Sequence, residues 1–383
     1  MLRIVLLLSP IFVTFFWALT LSGNKKTYST PRRFLGHFML FPLIIYISHF
    51  SYFAPLPSIY PYFDVLLQYA SLLVFPIYYI YFRLLTVDKA FSLRAHARYL
   101  TIPTILFVIY GVAVLFTPTL EYRAWLFDEK AYTSSPYIKF LGIMRIIIRI
   151  TYLTQVVISV IGNHLLIRKY SAKAEEFYSD IQDGRYNNAN MLNYSIILMS
   201  TAAFVFTALG RTYLMSQNIM IYLGWTVFTA MLYIIGYMGV TQKAINPTFD
   251  LVVEPDIPVV ENDTLNAAQK KLLKKILELF EEKKIYLNSQ LNILEIVNTV
   301  GANRTYISAI INSEYNQNFC TFVNTYRIAE LERLIKENPE YPNEVLAEYC
   351  GFGSVNSLKR TISSKTGMSI NEWKTQLLLK KNH

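Results

Sequence analysis

The sequence predicts an all-α protein: a seven-helix transmembrane domain followed by a cytoplasmic domain built on two helix-turn-helix patterns. Three observations predict it. Apolar residues make up 53% of the 383 residues and mean hydropathy is +0.30, above the usual range of soluble domains. Composition changes abruptly near residue 240, where long apolar, aromatic-rich runs give way to charged sequence. In the last hundred residues, a short helix, a tight break and a second short helix occur twice, on either side of a longer helix.

The net charge of +10 suits nucleic acid or an anionic membrane face equally, so position along the chain has to decide. The only cysteines, Cys320 and Cys350, lie in the polar part, which excludes a disulfide framework or a multi-thiolate metal site and reads as packed core. Nothing marks an enzyme: there is no phosphate-cradling Gly-rich loop followed by Lys, no paired His with an acid, and no nucleophile motif. No cofactor or metal is expected.

A bilayer core requires about 20 mostly apolar residues per helix, because every backbone amide must be bonded internally. Seven segments qualify: 2–21, 34–54, 59–82, 99–118, 140–167, 191–214 and 219–240. Pro10, Pro42, Pro76 and Pro103 lie inside them, where neighbouring helices can satisfy the freed carbonyls. Basic residues accumulate in the odd loops: Lys25, Lys26, Arg32 and Arg33, then Lys89, Arg94 and Arg98, then Arg168, Lys169, Lys173 and Arg185. The positive-inside rule therefore puts the amino terminus outside and the carboxyl terminus in the cytoplasm. Reading the first segment as a cleaved signal peptide would reverse that parity and strand the first basic loop on the wrong face.

Arg145 and Arg149 lie one helical turn apart in the fifth span and Arg211 near the end of the sixth. Intramembrane charge is costly and marks function by default, so these arginines are candidates for an anionic-ligand pocket. The competing reading has them snorkel or pair with Asp64, Glu121 or Asp128. His37, His49, Asn163 and His164 read as helix-capping or interhelical bonding groups.

Prolines at 247, 255 and 258 make residues 243–263 a spacer. A helix capped by Thr264 follows, with Leu265, Ala268, Leu272, Ile276, Leu279 and Phe280 on one face. Its lysines, Lys270, Lys271, Lys274 and Lys275, form a polar side open to solvent, phosphates or an anionic leaflet. This helix is the expected transmitter between membrane and carboxyl domain, by pairing two protomers or by packing on the domain core.

In ILEIVNTVGANRTYISAIINSEY, Gly301 turns the chain and Asn303 caps a helix whose buried stripe is Ile307, Ile310 and Ile311. At about 100° per residue, Thr305, Ser308, Ala309 and Asn312 fall opposite, with Arg304 beside them. A helix over 319–336 leads to the second copy, VLAEY, CGFGS and VNSLKRTISSK, where Ser354 is the cap and Val355, Leu358 and Ile362 point inward. Asn356, Ser357, Arg360 and Ser364 then point outward, flanked by Lys359. A connecting helix of eighteen residues spans about 27 Å, close to the ~34 Å between successive major grooves.

With TYRIAELERLI, LAEYCGFGSVNSLKR and KTGMSINEW, the last hundred residues resemble the AraC family of transcription regulators. The resemblance implies double-stranded DNA as partner, with the helices at Arg304 to Asn312 and at Asn356 to Ser364 entering adjacent major grooves. Similar domains occur behind multi-span membrane segments, which implies the bacterial inner (cytoplasmic) membrane and a membrane-borne or small-molecule signal. The chain departs from the family at Asn316 (usually Gly), Asn343 (usually apolar), Ser363 and Ser364 (usually a basic pair) and Ser369 and Ile370 (usually Thr-Pro). The expected function is a membrane-anchored transcription regulator, with a transporter or channel carrying a cytoplasmic scaffold as the alternative. Two membrane-confined copies would meet readily, which leaves a homodimer open.

Overall fold

The computed structural model describes residues 2–381 except 24–29, 55, 57, 129–130, 181–184, 210–213, 215–217 and 243–266. The described residues are helical, with one isolated antiparallel bridge between Tyr178 and Asn292. They form two compact units: residues 1–168 with 185–244, and residues 169–184 with 245–383. The spacer at 243–263, Thr264 and Leu265 lie outside the described residues.

The first unit contains α1 (Leu2–Leu21), α2 (Thr30–Phe38), α3 (Leu40–Phe53), α4 (Tyr60–Thr86), α5 (Leu93–Phe116), α6 (Thr119–Phe127), α7 (Pro136–Glu175), α8 (Arg185–Leu209) and α9 (Asn218–Thr241). Seven helical stretches are long and apolar enough to cross a membrane. Helices run straight through Pro10, Pro76 and Pro103, but the second span divides at Met39. Pro42 explains the break, since its ring clashes with the carbonyl four residues back and it donates no hydrogen bond.

Helix α4 is the centre of this unit, burying Tyr60, Leu72, Tyr78, Tyr81 and Phe82 against α2, α3, α5 and α6. Helices α5 and α7 instead leave rows of large apolar side chains exposed, among them Ile105, Val112 and Leu115, and Ile143, Ile150 and Ile161. Such faces suit hydrocarbon rather than water. Hydroxyls inside the helices satisfy themselves: Thr14, Ser48, Thr86 and Ser200 each donate to the carbonyl four residues back.

The second unit holds α10 (Ala267–Glu281), α11 (Ile293–Val300), α12 (Arg304–Tyr315), α13 (Phe319–Glu337), α14 (Asn343–Tyr349), α15 (Val355–Thr366) and α16 (Ile370–Lys381). Short polar caps start four of them: Asn292 accepts from the Leu294 amide, Asn303 from Thr305, Asn318 from Thr321 and Ser354 from Ser357. Each such cap contributes roughly 1 kcal/mol. Ser369 and Glu372 start α16 with a reciprocal capping box.

Two cores lie along α13. Phe319, Phe322 and Val323 join Ile276, Phe280, Ile293, Ile296, Ile307 and Ile311. Ile328, Leu331 and Ile335 join Leu346, Cys350, Leu358, Ile362 and Trp373. Helix α10 supplies Ile276, Leu279 and Phe280 to the first core, the second of the two packings expected of it. It is a structural member of the unit.

The sequence assigned residues 169–184 to a cytoplasmic loop, but residues 169–180 pack as part of the second unit. Phe177 is buried in its first core, and its carbonyl accepts from the Ile293 amide while the Ser179 amide donates to Leu291. The insertion went unread because its signal is one aromatic residue and two backbone bonds.

Both turns between the paired helices place glycine in the left-handed region, Gly301 at φ 70° and Gly351 at φ 75°. A Cβ on Gly351 would lie 2.5 Å from the Tyr286 carbonyl oxygen and 2.7 Å from Leu287 backbone atoms, whereas one on Gly301 meets open space. Gly301→Ala is expected to cost about 1–2 kcal/mol of left-handed strain, and Gly351→Ala clearly more. Protection of the second unit against proteolysis in denaturant, measured on the full chain, checks the ranking; equal losses would contradict it.

Candidate functional site

Two clusters concentrate polar chemistry, one in each unit. In the first unit Asp64 on α4 is fully buried and its carboxylate is saturated. Its Oδ1 accepts from Tyr60 (3.1 Å), from the Arg145 guanidinium (3.0 Å) and from Gln68 (3.5 Å). Its Oδ2 accepts from Tyr110 (2.7 Å) and Tyr122 (2.9 Å). The Arg145 guanidinium also donates to Tyr110 and lies 4.0 Å from the Trp125 ring centroid. Charge in an apolar interior persists only when paired and hydrogen-bonded, and this pair is both.

Of the arginines considered for an anionic pocket, Arg145 is therefore neutralised by Asp64, Arg149 is exposed on α7, and Arg211 lies outside the described residues. Tyr110 and Tyr122 were missed because they lie 46 and 58 positions from Asp64, whereas Tyr60 stands one helical turn before it on α4. Asn163 bonds across to Asn193 on α8 (3.2 Å), His49 packs among the rings of Tyr46, Phe53 and Trp225, and His37 and His164 are exposed.

In the second unit, α11 and α12 form one pair around Gly301 and α14 and α15 form the other around Cys350 and Gly351. Ile307, Ile310 and Ile311 are buried on α12, while Thr305 and Asn312 are exposed and Arg304 and Ser308 are half-buried. On α15, Leu358 and Ile362 are buried, and Asn356, Lys359, Arg360 and Ser364 are exposed. Each pair thus presents a polar helix face beside its core. The nineteen residues of α13 span about 28 Å between them.

Ser357 departs from its expected outward position and is only 4% exposed. Asp180 covers it. The Asp180 carboxylate accepts from the Ser357 hydroxyl and from the Gly353 amide (2.9 Å), and lies 3.9 Å from the Arg360 guanidinium. Helical geometry alone had put Ser357 on the outer face; a residue more than 170 positions earlier decided its environment.

Asn316, where α12 ends, adopts φ 52° and ψ 40°. Asparagine enters this region more readily than other non-glycine residues, so the turn survives without glycine. Cys350 is buried and Cys320 half-buried; burial pushes both thiols up to about 12. Among the described residues no cluster of His, Cys, Asp or Glu is arranged to hold a metal ion. No family model matches the chain, and neither a curated protein nor a solved structure matches it.

Removing either member of the Asp64–Arg145 pair leaves an uncompensated buried charge. Asp64→Leu or Arg145→Met alone is expected to destabilise the first unit by about 3–5 kcal/mol, and the double variant by less than either. Thermal unfolding of the full chain in detergent measures this; additive losses would show that the two charges are not coupled.

Proposed function

We propose that this chain is a membrane-anchored, sequence-specific DNA-binding transcription regulator with a carboxyl domain of AraC type. The observation that carries this reading is the repeated unit in the carboxyl part: a short helix, a left-handed glycine turn and a polar-faced helix, present twice and joined by the nineteen-residue α13. Such helices fit the major groove, and their spacing along α13 approaches one helical repeat of DNA. On the first reader Arg304, Thr305, Ser308 and Asn312 would meet bases and backbone. On the second, Asn356, Lys359, Arg360 and Ser364 would do so, with Ser357 once it is uncovered.

The seven apolar helical stretches support a multi-pass anchor. The basic odd loops support a cytoplasmic carboxyl domain, as on a bacterial inner membrane, which is where the domain would reach DNA. The membrane unit serves as anchor and as receiver of a membrane-borne or small-molecule signal. Two tethered copies on neighbouring half-sites fit the same picture.

The test is a footprint of the full chain, in detergent, on its own upstream DNA. Protection should cover two adjacent major grooves, and Arg304→Ala and Arg360→Ala should each weaken binding about tenfold, the range of one good base or phosphate contact. Absence of protection at low salt would overturn the reading and leave a transporter with a scaffold domain, which uptake into vesicles would then address.

A further inference from the structure

The second polar helix, α15, already carries an anion from its own chain. The carboxylate of Asp180, whose side chain is 2% exposed, takes the Gly353 amide and the Ser357 hydroxyl at the amino end of α15 and lies 3.9 Å from Arg360. Backbone amides, a hydroxyl and a guanidinium at a helix amino terminus are the donors that would otherwise hold a backbone phosphate. One negative charge cannot be replaced there by another while the first remains, and a phosphate brought alongside would be repelled.

Asp180 is also held firmly. Phe177 is buried in the first core, and the bridge between Tyr178 and Asn292 fixes the backbone. The Ser179 carbonyl and hydroxyl both accept from the fully buried Arg327 (3.0 Å each). The segment follows directly on α7, the forty-residue helix whose stretch Pro136–Ala172 is long and apolar enough to cross a membrane.

We infer that Asp180 is an autoinhibitory strap: its carboxylate occupies the phosphate-binding end of the second reader, and turning that side chain aside, with Phe177 and Ser179 left in the core, opens that end. The inference rests on the DNA-binding reading above and names its regulation. In the resting chain the first reader alone is competent; withdrawal frees Gly353, Ser357 and Arg360 together and adds the second.

The test uses the full chain in lipid nanodiscs, with a 30-base-pair duplex from its own upstream region as probe. Asp180→Asn should tighten binding about tenfold, the ratio that one charge-assisted contact carries, and should extend the footprint from one major groove to two. Asp180 and Ser357 replaced together by cysteine, in a Cys320→Ser background, should form a disulfide in membranes; binding should then be weak when oxidised and recover on reduction. Unchanged affinity in Asp180→Asn, beside measurable wild-type binding, would overturn the strap, as would weaker binding, which would make Asp180 an aid to recognition. Failure of the cysteine pair to cross-link would overturn it without reference to DNA. No binding by wild type, Asp180→Asn or the reduced pair at low salt, with the cross-link formed, would instead refute the DNA-binding reading and the strap with it.

Discussion

The second unit depends on a buried guanidinium. Arg327, in the middle of α13, has no exposed surface, and it donates to the carbonyls of Tyr286 and Asn288 and to the carbonyl and hydroxyl of Ser179. Desolvation pushes its pKa down to about 10, against the pull of the Asp180 carboxylate. A desolvated cation is tolerable only when its donors are filled, and here the acceptors come from two separate stretches of chain, at Ser179 and at Tyr286 to Asn288. The residue also marks the junction of the two cores, with Phe322 and Val323 before it and Ile328 and Leu331 after it. The middle of α13 is therefore tied both to Ser179, just beyond α7, and to the turn at Tyr286 to Asn288.

The membrane unit answers the same physical problem differently. Asp64 and Arg145 neutralise each other, and three tyrosine hydroxyls fill what the guanidinium leaves. That arrangement leaves no free charge to attract an anion, so it reads as a lock between α4, α5, α6 and α7 rather than an open pocket. Arg327 lacks this symmetry: its acceptors are mostly backbone carbonyls, which can be lost only by moving the chain. A lock of side chains resists motion within one unit, whereas a lock on carbonyls reports the position of a segment.

Helix α10 commits its apolar face to the first core through Ile276, Leu279 and Phe280, and Phe177 joins the same core, so both segments are structural members of the second unit.

Much of the architecture was legible in residues alone. Hydropathy runs find each of the seven apolar stretches, because backbone polarity in hydrocarbon admits only complete helices, but miss some ends by up to eight residues, as at 206 against 214 in the sixth. The caps Asn303 and Ser354 and the buried stripes at Ile307, Ile310 and Ile311, and at Leu358 and Ile362, follow from helical periodicity, which is local. Three matters were settled by tertiary structure. Arg145 faces Asp64 and not a pocket because α4 and α7 meet there, 81 positions apart in sequence. Arg327 is interior because Ser179, Tyr286 and Asn288 converge on it. Ser357 is covered because Asp180 returns from 177 positions earlier. Local sequence determines which face of a helix can be polar; what meets that face is a non-local contact, and no periodicity records it.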